Sequence, residues 1–373
     1  MQVFKNIFPV KKRVLALGGE SEGIFCFLKN NSIVLSDDFG DLLEEKNFQK
    51  FKRAVFALLK KEKPKIILSD LHPLYKTTFL AQEISQKYKI IHLQVQHHLA
   101  HIFSALGEKM IVGEKIPKDV IGIACDGTGY GWDGKIWGGE IFHLRIEKKK
   151  LKEVKRIGHL ENQIMIGGDL AVKEPARILI GLFNKFLSKE KIYYFVKKYY
   201  NKNQFELLYN QLQEKFNCQE TSSTGRVLDA VSLFLGFSKN ERGFKHKPIK
   251  LLEENSTQPY KIKPKIFYNK KEKNYTLLTT PLFEYLIKSS KKDKKRLAGT
   301  AQRYIAQGLY EIAKKTSQKS SMIFFAGGIA NNKIISSYLE AKGIYTNKKI
   351  PRGDKGLSFG QLIFYLCQSS VYN

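Results

Sequence analysis

Short apolar runs separated by turn residues open the chain. RVLALGG (13–19), GIFCFL (23–28) and SIVL (32–35) read as three consecutive strands. Helical spacing of apolar positions follows over 48–60, then a strand at 65–70, a helix over 77–88 and a strand at 90–95. Three strands followed by helix–strand alternation predict a mixed α/β lobe. The pattern then starts over with VIGIACD (120–126), KIWGGEIFHL (135–144) and a third strand at 154–160. Glycine turns fall in matching places, so the chain reads as duplicated lobes, 1–118 and 119–373. The second lobe carries an insertion over about 165–320 that reads mainly as helix. Inside it, 245–275 is lysine-rich and reads as a flexible stretch. A strand at 322–326, a helix over 332–342, a short strand at 343–345 and a helix over 357–367 close the chain.

At 373 residues and 43% apolar content, two lobes with real cores are affordable and global disorder is not expected. The four cysteines, Cys26, Cys125, Cys218 and Cys367, stand far apart with no CxxC pair. That excludes a zinc finger and a redox pair and fits a reducing compartment. No apolar run suits a signal peptide or a membrane span, so the expectation is a cytoplasmic protein without membrane contact. The formal charge of +29 changes the picture little. It is mostly lysine spread end to end, without an arginine stripe, so nucleic acid is not the expected partner. It still favours anionic ligands by long-range attraction.

Candidate chemistry concentrates in a few segments. Gln96-His97-His98-Leu99-Ala100-His101 follows a strand and opens a helix. Four residues apart, His97 and His101 share a helical face and have chelating spacing; two core histidines are the plainer alternative. His98 points elsewhere. A further ligand is needed, and Asp354, in a turn before the last helix, is a candidate, although spacing alone also fits a helix cap. Asp126-Gly127-Thr128-Gly129 reads as a sharp turn at a strand end, able to bring backbone N–H groups to a phosphate, or as a tight hairpin. Leu17-Gly18-Gly19-Glu20 is its counterpart in the first lobe. Gly327-Gly328-Ile329-Ala330-Asn331-Asn332 joins a strand to a helix whose N-terminus favours anions, with Asn331 or Asn332 as cap. Gly167-Gly168-Asp169 offers an aspartate for ribose hydroxyls or for a helix cap. Thr221-Ser222-Ser223-Thr224-Gly225-Arg226, followed by Asp229, is a polar turn before an apolar helix.

Taken together, LALGGE (15–20), SDLHP (69–73), VQHHLAH (95–101), ACDGTGYGWDGKIWGGE (124–140), IGGDLAVKEPARI (166–178), TSSTGRVLDAV (221–231), AGGIANN (326–332) and PRGDKGLSFGQ (351–361) resemble the C-terminal transferase region of the HypF carbamoyltransferases. The segments run in order over most of the chain. The resemblance implies a two-lobed, actin-like fold of the sugar-kinase and Hsp70 type, shared with tRNA threonylcarbamoyl transferases. It implies iron or zinc on His97, His101 and Asp354. It implies carbamoyl-adenylate or an ATP-type nucleotide, with or without Mg, near Asp126, Gly127, Thr128 and Gly129, near Gly167, Gly168 and Asp169, and near Gly327, Gly328 and Asn331. The implied reaction passes the carbamoyl group to the C-terminal cysteine of HypE in [NiFe]-hydrogenase maturation, toward a cyanide ligand. His98 is the candidate for helping to deprotonate that thiol.

Two departures from the family pattern shape the expectations. The acylphosphatase-like, zinc-finger and YrdC-like regions of the family have no counterpart in these residues. Carbamoyl-adenylate is therefore expected from a separate YrdC-like protein. Leu99 stands where the family carries a third consecutive histidine, and the outer pair keeps its spacing. Three other readings compete: a tRNA threonylcarbamoyl transferase, favoured by the charge; a small-molecule O-carbamoyltransferase; and a non-catalytic actin-like binding module. DGTGYG and GGDLAVKEP favour HypF over the first.

Overall fold

A computed structural model describes residues 1–9, 12–29, 31–243 and 246–368. Six strands form the first sheet: β1 (Gln2–Lys5), β2 (Val14–Ala16), β3 (Cys26–Lys29), β4 (Ser32–Leu35), β5 (Ile66–Asp70) and β6 (Ile91–Val95). Their spatial order is β1-β4-β3-β2-β5-β6. Eight form the second: β7 (Asp119–Tyr130), β8 (Ile136–Glu147), β9 (Lys150–Leu160), β10 (Gln163–Ile166), β11 (Cys218–Thr221), β12 (Ile266–Asn269), β13 (Asn274–Leu277) and β14 (Met322–Ala326). The helices are α1 (Glu45–Glu62), α2 (Lys76–Tyr88), α3 (His97–Ile111), α4 (Leu170–Lys173), α5 (Ala176–Phe183), α6 (Lys189–Val196), α7 (Lys202–Gln213), α8 (Thr224–Leu235), α9 (Lys247–Glu254), α10 (Thr280–Lys288), α11 (Lys294–Thr316), α12 (Lys333–Glu340) and α13 (Leu357–Gln368).

The two sheets repeat one wiring. In the first, β2, β3 and β4 form an antiparallel meander, and β5 lies parallel to β2. In the second, β7, β8 and β9 form the meander, and β14 lies parallel to β7. The two-lobed, actin-like α/β class read from the sequence is the observed one. Central strands are buried on both faces, which is why VLALGG, IILSD and MIFFA read as continuous apolar runs rather than alternating ones.

The lobes meet on α3. Almost every side chain of this helix is buried, and one core joins it to β2, β7, β14 and α13. The closing helix α13 returns to pack on α3 and on the first sheet. Gly360 makes that crossing possible. A Cβ built there would stand 1.8 Å from the carbonyl oxygen of Ala100.

Several expectations need correction. The region 165–320 is not helix alone: β10 pairs with β11, and β12 with β13, which extends the second sheet at both ends. These strands are only four residues long, below the length at which a period-2 pattern is legible. The lysine-rich stretch folds as α9, β12 and β13, because its lysine heads face water while Ile249, Leu252 and Leu277 are buried. Its residue 245 lies outside the described residues. The strand expected at 343–345 is a single bridge, Phe324 to Tyr345. The 126–129 segment is not a sharp turn. It is a bulged part of β7, and the chain reverses afterwards, at Gly131–Gly134. The edge strand β1 carried no readable pattern, being mostly exposed on both faces.

Candidate functional site

Helix α3 starts where β6 ends. The Gln96 side chain caps it by accepting the N–H of Leu99. The next turn then aims His97 and His101 from one face toward the end of β5, the bulge of β7 and the turn before α13. His101 Nε2 lies 3.1 Å from His97 Nε2, 2.8 Å from Asp126 Oδ2 and 3.4 Å from Asp354 Oδ1. His97 Nε2 lies 3.2 Å from Asp126 Oδ2 and 3.8 Å from Asp354 Oδ1. One donor atom from each of the four residues falls within 4.8 Å of the others.

This donor set fits a divalent metal. Ligand bonds of about 2.1 Å put neighbouring donors roughly 3.0–3.4 Å apart in octahedral or tetrahedral geometry. The observed spacings bracket that interval. His97 Nδ1 is 2.7 Å from Asp70 Oδ2, and Asp70 is fully buried. An Nδ1–H donated to Asp70 leaves the Nε2 lone pair facing the cluster, the usual second support of a metal-binding histidine. Burial opposes charge on His97, but Asp70 and Asp126 outweigh it and hold its pKa well above the ordinary value. Burial likewise opposes ionisation of Asp126, and the two histidines reverse that and hold it well below the carboxylate range. The group thus attracts positive charge strongly. Replacing Asp70 with Asn is expected to weaken divalent-metal binding about tenfold to a hundredfold without unfolding the chain; titration of the metal-stripped protein measures this.

Asp354 is held by a separate device. Glu108, three turns along α3 and 1% exposed, accepts the backbone N–H groups of Lys348, Lys349 and Ile350 and the hydroxyl of Tyr345. It fastens the loop ahead of Asp354 to the helix that carries His97 and His101.

The other predicted residues separate into groups. Asp126, Gly127 and Thr128 line a cavity of about 480 Å³ together with Asp354 and Tyr75. Gly328 and Asn331 line a second cavity of about 310 Å³ that shares Asp126 and Asp354. Gly327 lies behind that wall, against the backbone of Cys125, with a positive φ of 97°. Asn332, not Asn331, caps α12, which leaves Asn331 at the cavity. Gly167 and Gly168 turn the chain from β10 into α4, with positive φ of 83° and 56°. Asp169 is exposed at the start of α4, whose Val172 and Lys173 line the first cavity. Gly129 is buried against His98: a Cβ there would stand 2.5 Å from the His98 ring. His98 itself is fully buried; its Nδ1 is 3.0 Å from Gln96 Nε2, and Trp137 packs nearby. Burial, then the charge of His97, lowers its pKa to about 3.

The structure moves two readings and adds one residue. Asp126, read as a nucleotide contact, lies with His97, His101 and Asp354. Asp70, given no role in the sequence, hydrogen-bonds His97. Arg226 and Asp229, read only as part of a polar turn, form a buried ion pair on α8 beside the cavity. The bulge in β7 hid the first, and the distance of 27 residues between Asp70 and His97 hid the second.

Comparison with known proteins now decides the family. Residues 122–361 match the second subdomain of the carbamoyltransferase Kae1-like domain, and residues 9–108 match the HypF Kae1-like domain. The chain belongs to the HypF carbamoyltransferase family. It is 36% identical to a probable carbamoyltransferase HypF of Methanocaldococcus jannaschii over 96% of its own length and 47% of that protein's. With a HypF of a Synechocystis strain it shares 29% over 95% of its length and 47% of that protein's. The chain thus spans about half the length of these relatives. Among solved structures, T. kodakarensis HypF superposes with a TM-score of 0.83 at 28% identity, over 98% of this chain and 49% of that one. A full-length HypF in a phosphate- and nucleotide-bound form superposes with a TM-score of 0.81 at 27% identity, over 98% of this chain and 47% of that one. Among the described residues, no helix is long and apolar enough to cross a membrane.

Proposed function

We propose that this chain carries out the transfer half of the HypF reaction, moving a carbamoyl group from carbamoyl-adenylate to a thiol. The His97–His101–Asp126–Asp354 group, two of whose members, Asp126 and Asp354, line a cavity of about 480 Å³, is the observation that carries this reading. In the reaction, the thiol sulfur forms a bond to the carbamoyl carbon. The bond from that carbon to the phosphate oxygen breaks, AMP leaves, and the thiol loses its proton. The acceptor is proposed to be the C-terminal cysteine of HypE, and the adenylate is proposed to come from a YrdC-like protein.

A metal on the four residues, iron or zinc by their donor types, would polarise the carbamoyl oxygen as a Lewis acid. The chain's own residues do the rest. Asp70 fixes the tautomer of His97. Glu108 keeps Asp354 within reach of α3. Gly127 and Thr128 line the space proposed for the leaving phosphate, the Gly127 N–H being held by Asp126 Oδ1 at 2.7 Å, and Asn331 lines the adjoining space, suited to the nucleoside. The sequence reading gave His98 to thiol deprotonation. A fully buried, weakly basic imidazole suits that role poorly, and we propose that His98 supports the bulge of β7 behind Gly129 instead.

The test supplies the chain with a separate YrdC-like protein, carbamoyl phosphate, ATP and HypE, and reads the acceptor mass. S-carbamoylated HypE that depends on this chain is expected. Unmodified acceptor, under conditions where an intact HypF modifies it, would contradict the proposal.

A further inference from the structure

The cavity that holds Asp126 and Asp354 is also lined by three cations: Lys173, Arg226 and Arg242. Arg226 is 1% exposed. Its Nη2 stands 2.6 Å from Asp229 Oδ2, one turn along α8, yet it is not aligned for a hydrogen bond. Its Nε and Nη1 have no hydrogen-bond partner among the described residues, and neither does the buried Nε of Arg242. The loop carrying Arg242 is pinned to α4, because the Arg242 N–H donates to the carbonyl of Lys173 at 2.9 Å. Arg226 Nη2 also lies beside Gly127: a Cβ on that glycine would be 3.8 Å away.

Asp41, Asp126, Glu241 and Asp354 also line the cavity, so the shortage is of hydrogen-bond acceptors at the two guanidinium groups rather than of negative charge. Arg226 and Arg242 both act on the single carboxylate of Asp229, whose burial they oppose. Burial, then Arg226, lowers the pKa of Arg242 to about 10, which leaves it cationic at neutral pH. One carboxylate offers about four acceptor positions, and two guanidinium groups present about ten donors. Buried cationic N–H groups without acceptors are costly, and an anionic ligand supplies what is missing.

We propose that Arg242, backed by Arg226 and Asp229, forms an oxyanion subsite in the cleft that takes a phosphate or carboxylate group of a substrate. The subsite rests on the carbamoyl-transfer reading for the identity of the cleft, whereas anion binding by these residues does not depend on the metal. A phosphate would come from the nucleotide, and a carboxylate from the acceptor.

The whole chain is used for the test, because Arg226 is buried deeply enough that its variants risk misfolding. Arg242→Gln, on a partly exposed loop, is compared with the unaltered chain for binding of AMP, adenosine and acetate, by calorimetry and ligand-observed NMR. Metal content is measured on both. AMP binding weakened about tenfold or more, with adenosine binding and metal content unchanged, is the expected result and identifies a phosphate. Loss of acetate binding alone supports the subsite and identifies a carboxylate. Unchanged AMP and acetate binding would overturn it. So would a parallel loss of adenosine binding and metal, since Arg242 would then be holding the cleft together. Failure of the transfer reading is separately visible, as absence of metal and of transfer in the unaltered chain.

Discussion

Replacing His101 with Ala is expected to lower divalent-metal affinity more than about a hundredfold and to abolish carbamoyl transfer. The magnitude follows from rank: loss of a group that merely orients a ligand costs about ten- to a hundredfold, and loss of the ligand costs more. His101 is the better choice than His97, because the buried Asp70 would be left without its partner in a His97 variant. His98→Ala is the matched comparison. It sits on the same turn and is equally buried, but it lies against Gly129 and Trp137 rather than in the donor group. His98→Ala should retain the metal. If both variants keep it, the His97–His101–Asp126–Asp354 group is a network of ordinary ion pairs.

Gly360→Ala is expected to destabilise the chain by about 3 kcal/mol and to loosen the metal site along with it. The added methyl group would meet the backbone of Ala100, inside the His97–His101 turn, and a carbonyl oxygen cannot swing aside as a side chain can. Gly107→Ala, lower on the same α3–α13 seam, meets only the side chains of Ile363 and Phe359. Those can move, and alanine favours helix over glycine by about 1 kcal/mol. Urea midpoints should therefore fall far more for Gly360→Ala than for Gly107→Ala. Equal midpoints would mean that α13 does not clamp the histidine turn.

Much of this architecture is legible in the sequence where periodicity is strong. The two strand trios, α1, α2, α3 and α13 follow from buried apolar positions, and the chelating face of His97 and His101 follows from their spacing. Asp354 is a candidate from its turn alone, and family resemblance selects the ligand reading, because a turn aspartate looks the same as a helix cap. What remained hidden depends on long-range geometry. Nothing local marks Asp126 as a partner of α3: a bulge in β7 turns its carboxylate toward His101, and bulges have no fixed sequence sign. The short strands β10 to β13 form because neighbours offer edges to pair with, which no single segment encodes. The lysines of 245–275 suggested flexibility because composition counts charged heads and ignores the buried Ile249 and Leu252 between them.

The proposed transfer reaction depends on one metal ion held by His97, His101, Asp126 and Asp354. Anomalous diffraction from crystals of the metal-loaded chain would locate that ion. A single peak is expected within bonding distance of Nε2 of both His97 and His101 and of the Asp126 and Asp354 carboxylates. A metal-loaded crystal whose peak lies elsewhere, with this group still closed on itself, would contradict it.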